Sequence, residues 1–310
     1  MKTHRTRFLF SLLTIIFTFG NTASISAAQV AQNSNWGMHF DMNTFKQSVM
    51  FEALTSLEKE GEPNKVRAFL TSKLNFDPRV DLDSITVYGN GQPSNVVVVL
   101  KGTFDAAKIK SVISQRENHM TFNIDGKKCH TYIDFDKKHK FLTFSDDNTL
   151  LISHAKDDLA NALAIEAGDV EGLPIVIDAQ ASGTVFVTGF LDVDGLDDTQ
   201  LKSAITRQVA YSDFMLTTDD DGIRYSAIIE TVNETTANNF YTMANGFLAL
   251  ARMKHGNNPE KLAFINDSLK LSLIDKSLWI TTEAMDLAFI QNALKEAMKH
   301  GSKKWCRKKE

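Results

Sequence analysis

The sequence is poor in the residues that mark disulfide scaffolds, disordered chains and membrane proteins. It contains 2 cysteines and 5 prolines in 310 residues, whereas phenylalanine alone occurs 21 times. So few cysteines argue against a disulfide-stapled scaffold, and a hydrophobic fraction of 43% with little proline argues against a disordered chain. After residue 20, no apolar run reaches the roughly 20 residues that a transmembrane helix needs. The composition therefore predicts a globular protein that buries a substantial core.

The usual catalytic and cofactor motifs are also missing. There is no H-E-x-x-H, no G-x-S-x-G and no glycine-rich phosphate loop, and the 8 histidines show no metal-ligand spacing. Cys129 and Cys306 have no second Cys/His cluster beside them, which argues against a zinc site, and whether they form a disulfide stays open. We therefore expect no cofactor. The missing motifs do not exclude an enzyme, but they remove the usual reasons for proposing one.

The N-terminus has the three-part pattern of a secretory signal peptide. Basic residues at Lys2, Arg5 and Arg7 precede the apolar run FLFSLLTIIFTFG, and the small residues Ser26 and Ala28 follow at the −3 and −1 positions of a cleavage site. The apolar run is short for a bilayer span, although an uncleaved membrane anchor is the alternative. The pattern predicts export to the periplasm or the medium, with cleavage after Ala28.

Charge is distributed unevenly. The whole chain has a net charge of −4, yet both the signal region and the last ten residues, GSKKWCRKKE, are basic. The body between them is therefore clearly acidic, which disfavours nucleic acid as a partner. The tail 301–310 predicts either weak contact with an anionic membrane surface or simply a solvated chain end.

Two segments of the sequence predict the same order of secondary-structure elements. FLTFSDDNTLLISHAKDDLANAL and LKLSLIDKSLWITTEAMDLAFIQNAL each predict a strand, a tight turn, a second strand and a helix. Each closes a series of strand, helix, hairpin, helix, hairpin and helix, although the second series has one hairpin fewer. An internal duplication is the economical interpretation, and chance likeness between two common units is the alternative.

The predicted fold class is α+β, with two repeated halves. Each half is expected to hold an antiparallel sheet of hairpins with helices on one face. The predicted boundaries are 1–28 for the signal peptide, 29–172 and 173–300 for the halves, and 301–310 for the tail. The halves either pack as a pseudo-symmetric pair or join in one continuous sheet, and the sequence does not decide.

Two groups of polar residues invite a functional interpretation. His39 and Asp41 share the polar face of the first predicted strand, where a carboxylate beside a histidine starts an acid–base pair. Asp192 occupies the matching place in the second half, where Phe190 replaces the histidine, so a structural cap is the competing interpretation. The acidic loop LDVDGLDD offers a weak calcium-site hypothesis that fails the EF-hand pattern, and its carboxylates are Asp192, Asp194, Asp197 and Asp198.

The segment WGMHFDMNTFKQS contains Trp36, His39, Asp41 and Ser48 in the pattern W-x-x-H-x-D-x-x-x-x-x-x-S. This pattern resembles the start of a group of exported bacterial proteins of unknown function. DSITVYG followed by VVVVLKGTFD also resembles their later strands. The resemblance implies an envelope or secreted protein, and it carries over no catalytic residues.

The expected function is thus an exported, non-catalytic binding protein. Its partner would be a protein, a surface or a hydrophobic small molecule outside the cytoplasm. Two alternatives remain: an envelope hydrolase that uses His39 and Asp41, and a structural protein of the envelope.

Overall fold

The computed structural model describes residues 24–59, 65–92, 94–134, 137–178, 183–193, 195–196 and 206–292. In these ranges it is an α+β protein whose strands are antiparallel. The expected fold class is confirmed at this level. Asp194, Asp197, Asp198, Cys306, the tail and most of the signal region lie outside the described residues.

The first half begins with two strands and a helical segment. The strands are β1 (Ser24–Val30) and β2 (Trp36–Asp41). The helices that follow are α1 (Met42–Lys46), α2 (Val49–Lys59), α3 (Lys65–Leu74) and α4 (Pro78–Asp81).

The rest of this half consists of six strands and two helices. The strands are β3 (Leu82–Gly89), β4 (Val96–Gly102), β5 (Met120–Ile124), β6 (Lys127–Ile133), β7 (His139–Asp146) and β8 (Thr149–Ser153). The helices are α5 (Ala106–Ser114), between β4 and β5, and α6 (Lys156–Ala167), at the end.

The second half contains longer strands and one long helix. Its strands are β9 (Leu173–Asp178), β10 (Thr184–Asp192), β11 (Val209–Asp219), β12 (Gly222–Thr231), β13 (Leu269–Ile274) and β14 (Ser277–Thr282). Its helices are α7 (Glu234–His255) and α8 (Pro259–Ala263), with a 3₁₀ turn at Thr206–Gln208 and a π turn at Phe264–Ser268. A further helical segment covers residues 287–292.

Twelve strands form one continuous sheet, so the two halves share a sheet. The strand order is β13-β14-β12-β11-β10-β2-β3-β4-β8-β7-β6-β5. The halves meet where β2 pairs with β10, with Met38 opposite Gly189 and His39 opposite Thr188. Of the two arrangements that the sequence leaves open, the structure has the single continuous sheet.

Helices cover both faces of this sheet, which differs from the expected one-sided arrangement. Leu150 and Leu151 are neighbours in β8, so their side chains point to opposite faces. Leu150 packs in a cluster with Ile109 of α5, whereas Leu151 packs in another cluster with Leu159 of α6. Because successive strand residues alternate, two fully buried neighbours require cover on both sides.

The apolar residues after β2 recur with helical period and predict one helix, but the segment forms two. The backbone amides of Gln47 and Ser48 both bond back to carbonyl oxygens three residues earlier, and the Ser48 hydroxyl donates to the Phe45 carbonyl at 2.7 Å. This tight turn ends α1 and redirects the chain into α2. It directs Phe45, which is 8% exposed, into the core beside Phe40 and Phe186.

β1 and β9 form a small separate two-stranded sheet. Sequence reasoning missed both strands, because β1 overlaps the predicted signal peptide and β9 begins in a stretch read as a linker. The predicted cleavage site after Ala28 falls inside β1, and Gln29 and Val30 beyond it pair with Pro174 and Leu173. Val30 is fully buried, so the end of β1 is anchored by residues that cleavage would retain.

Candidate ligand-binding cleft

A polar cleft lies at one end of the central strands, where the β1–β2 loop meets the turns after β3 and β10. The Ser34 amide bonds to the Ala31 carbonyl at 2.9 Å, which closes the loop into a turn. The Asn35 amide donates to the Gly89 carbonyl at 2.9 Å, and the Asp192 amide donates to the Asn35 carbonyl at 2.6 Å. These bonds hold the loop firmly between the ends of β3 and β10.

The outer part of the cleft has a volume of about 410 Å³. Side-chain amides dominate its walls. The lining residues are Gln32, Asn33, Ser34, Asn35, Asn90, Gln92, Asp192 and Gly195. The lining contributed by described residues includes one carboxylate, Asp192, and no lysine or arginine.

A second, tighter chamber continues inward from the cleft. It shares Asn33, Ser34 and Asn90 with the outer part and is bounded by Tyr88, Asn95, Asp158 and Asn161. Its volume of about 10 Å³ matches the space that a single water molecule requires, about 10–15 Å³. It therefore has room for a water or for one hydroxyl group of a ligand.

Two polar atoms at this inner end are buried without a hydrogen-bond partner. They are the Oγ of Ser34, whose residue is only 5% exposed, and the Oδ2 of Asp158. An unsatisfied buried polar group costs about 1–3 kcal/mol, so such groups call for an explanation. Their position in a chamber that opens into the cleft makes them suited to bind an entering polar group.

Burial keeps the acidic groups of the inner end in their neutral forms to higher pH. It raises the pKa of Asp158, and the neighbouring Asp157 carboxylate raises it further. It also raises the pKa of the Tyr88 phenol, with smaller contributions from Glu166 and Asp158. The inner end therefore offers neutral or weakly acidic hydrogen-bonding groups and no positive charge.

Gly195 permits the close packing of the cleft wall. A Cβ at this position would lie 1.8 Å from the Nδ2 of Asn35. The Asp192 Oδ1 accepts from the Gly195 amide at 3.3 Å, which fixes the start of the turn after β10. Any larger residue at this position would displace the Asn35 side chain.

His39 and Asp41, the pair that the sequence predicts, lie toward the end of β2 that is far from the cleft. The described hydrogen bonds of His39 and those of Asp41 are made with different residues. The Asp41 Oδ1 accepts from the amides of Asn43 and Thr44 at 2.9 and 3.0 Å, and its Oδ2 accepts from the Thr44 hydroxyl at 3.0 Å. Asp41 is thus the N-cap of α1. The His39 Nδ1 lies 2.9 Å from the Thr86 Oγ1.

Burial lowers the pKa of His39, Asp41 partly offsets this effect, and Lys101 adds to it. A lowered pKa leaves the ring neutral at physiological pH. In the part of the chain that the structure describes, no catalytic constellation is evident around this histidine. Asp192, at the end of β10, accepts a hydrogen bond from the Gly195 amide in a turn and also lines the cleft.

No group of three or more potential metal-ligating side chains occurs among the described residues. The same residues include no helix that is both long enough and apolar enough to cross a bilayer. Cys129 is a buried free thiol, so the part of the chain described gives no disulfide to this cysteine.

Sequence reasoning missed the cleft because its residues come from four separate segments. The segment GNGQP at positions 89–93 is typical of a turn and indicates no site, and the pattern gives QNSN at positions 32–35 no role. The local density of asparagine and glutamine in both turns was the available signal. Only the sheet order, which sets β10, β2 and β3 side by side, brings these turns together.

No protein-family model matches the chain, and no curated protein matches it. The resemblance to exported bacterial proteins therefore stays an expectation. Among solved structures, crystal form III of TP0453 from Treponema pallidum is similar with a TM-score of 0.49 and 7% identity, covering 87% of this chain and 98% of that chain. Crystal form IV of TP0453 gives a TM-score of 0.47 and 8% identity, covering 86% and 97%. At this identity the likeness concerns the fold alone.

Proposed function

We propose that this chain is an exported, non-catalytic binding protein whose cleft takes a neutral, hydroxyl-rich ligand of the carbohydrate class. The observation that carries the proposal is the pair of unpartnered polar atoms, Ser34 Oγ and Asp158 Oδ2, at the inner end of an amide-lined cleft. A ligand hydroxyl donates and accepts at once, so one such group can satisfy both atoms.

The wall chemistry supports this ligand class. A carboxamide has a donor and an acceptor side by side, which suits the neighbouring hydroxyl groups of a sugar ring. Among the described residues, the lining carries carboxylates and no cationic side chain, which disfavours phosphate, sulfate and carboxylate ligands. A lipid or another apolar molecule would strip water from these amides without replacing their hydrogen bonds. The cleft therefore argues against the hydrophobic small molecule that composition suggested.

The proposed location is the periplasm or the exterior, reached through the predicted signal peptide. Cleavage after Ala28 would leave Gln29 and Val30, and with them the start of the loop that builds the cleft. Ala31 to Asn35 would then lie within a few residues of the mature N-terminus. We propose that export removes the signal peptide without removing a cleft residue.

We further infer that the two halves arose by internal duplication. Reading outwards from the centre of the sheet, β2, β3, β4, β8 and β7 correspond in order to β10, β11, β12, β14 and β13. The offset that takes Asp41 to Asp192 also takes Met38 to Gly189, and these two residues pair across the β2–β10 junction. Such a register is what a two-fold relation between the halves requires.

The test is calorimetric titration of the mature protein with a panel of neutral oligosaccharides, with inorganic phosphate and a fatty acid as the competing ligand classes. Ser34→Ala removes the buried hydroxyl and is expected to weaken sugar binding by roughly 3–10-fold, the equivalent of one hydrogen bond. Ser72→Ala, on the exposed surface of α3, is the matched control and should bind like the unmodified protein. Binding of phosphate or fatty acid in place of sugars, or equal affinities for Ser34→Ala and Ser72→Ala, would contradict the proposal.

A further inference from the structure

Helix α7 carries an apolar ridge that points away from the sheet. The ridge consists of Met243, Phe247, Leu250 and Met253, which are 39%, 62%, 61% and 80% exposed. They follow one another at spacings of four, three and three residues, so they lie along one side of the helix. The other side of α7 contacts β12, β13 and β14. The helix is therefore apolar on both sides, and among the residues that the structure describes, only the side toward the sheet is covered.

From the exposed fractions, we estimate roughly 400–500 Å² of side-chain surface on the ridge. This equals the largest apolar patch on a typical monomer, about 300–600 Å², and a patch of this size is often functional. Two such ridges facing each other would bury at most roughly 800–1,000 Å² from these side chains alone, which is at the lower limit of about 1,000 Å² for a biological interface. The area therefore suits a second copy of the same surface.

Gly246 supplies the shape for such a contact. It lies beside Phe247 on the ridge side, and no atom lies within 4 Å of the position of a Cβ there. An antiparallel register that places Phe247 against Gly246 of a second copy also places Met243 against Leu250 of that copy. Each ring then fills the gap left by a glycine, as in close helix–helix packing.

The charges agree with an antiparallel pair. The C-terminal turn of α7 is basic, with Arg252, Lys254 and His255. In the register described, Lys254 faces Asn239 of the second copy, so the basic ends lie apart and do not repel each other. A two-fold axis through the ridge gives this arrangement.

We propose that the α7 ridge is a self-association surface, through which two copies of the chain form an antiparallel helix pair. An anionic lipid surface is the competing occupant, and the acidic body of the chain opposes it. The two occupants respond differently to Gly246→Leu, which adds apolar area but fills the gap. A helix pair would be weakened by this substitution, whereas adsorption to lipid would be strengthened.

The experiment measures molar mass by light scattering across a dilution series of the mature protein, together with flotation on vesicles of phosphatidylglycerol and phosphatidylethanolamine. A concentration-dependent dimer is expected, and Phe247→Asp is expected to raise its dissociation constant by at least roughly 30-fold, as for an interface hot spot. Gly246→Leu should also weaken it, while Ser72→Asp, exposed on α3 and away from α7, should not.

A monomer at every concentration would overturn the proposal, and so would a dimer that Gly246→Leu strengthens. Flotation with the vesicles that Phe247→Asp abolishes would assign the ridge to lipid. Circular dichroism melts of each variant separate a lost contact from a lost fold. Sugar binding in the cleft does not depend on α7, so failure here leaves the proposed function untouched.

Discussion

Two substitutions of Asp41 test whether its carboxylate has a capping role or a catalytic one. The two roles predict different results for Asp41→Ala and Asp41→Asn. The carboxylate accepts two backbone amides and one hydroxyl at the start of α1. Losing an N-cap costs about 0.5–2 kcal/mol, and the lost Thr44 hydroxyl bond adds about 1 kcal/mol. We therefore expect Asp41→Ala to lower the free energy of unfolding by about 1–3 kcal/mol. Asp41→Asn keeps an oxygen for both amides and should cost under about 1 kcal/mol.

Thermal unfolding followed by circular dichroism measures the difference. At roughly 2–4 °C per kcal/mol for a domain of this size, Asp41→Ala should lower the Tm by about 2–12 °C. Asp83→Ala removes an equally charged but exposed side chain from β3 and should leave the Tm within about 1–2 °C. If Asp41→Asn lowers the Tm as much as Asp41→Ala does, then the negative charge itself matters, and the capping argument is refuted.

Three further predictions concern buried groups. Burial, His119 and two nearby lysines lower the pKa of His130 below 6.5, so the free energy of unfolding should fall as the pH drops from 6.5 toward that lowered value. Urea titrations at several pH values should show a weaker pH dependence of stability for His130→Gln. An unchanged pH dependence in this variant would contradict the prediction. Cys129 is buried, and burial raises the pKa of its thiol. In a Cys306→Ser background, a thiol reagent should therefore label Cys129 only when the protein unfolds. Rapid labelling of the native protein would show that the Cys129 thiol is accessible. Leu151→Ala, at a fully buried position, should cost about 2–5 kcal/mol in chemical denaturation, and a cost under about 1 kcal/mol would mean that the site collapses around the cavity.

Local sequence patterns predicted the elements well where one residue type decides them. An Asp before an apolar helical pattern, as at Asp105, predicts an N-cap, and the Asp105 Oδ1 accepts from the Lys108 amide at 2.9 Å at the start of α5. An Asp-Gly pair between two strand patterns, as at Asp125 and Gly126, predicts a hairpin turn, and both residues have the positive φ that such turns need. These signals succeed because the physical cause lies within a few residues.

Patterns that depend on distant contacts were harder to read. The break at Ser48 is hidden inside an apolar stripe that looks continuous, since the tight turn keeps Phe45 and Phe51 on the core side. Whether the halves shared a sheet depended on the pairing of β2 with β10, which no local pattern specifies. The cleft was invisible for the same reason, because strand order alone brings its amide-bearing turns together.

The most direct test of the proposed binding function is a titration of the isotope-labelled mature protein, followed through the side-chain NH₂ signals in NMR. Neutral oligosaccharides are added in one series and inorganic phosphate in another. The account predicts that a sugar shifts the signals of Gln32, Asn33, Asn35, Asn90 and Gln92, and that phosphate leaves them in place. Shifts with phosphate, or sugar-induced shifts confined to amides outside the cleft, would contradict it.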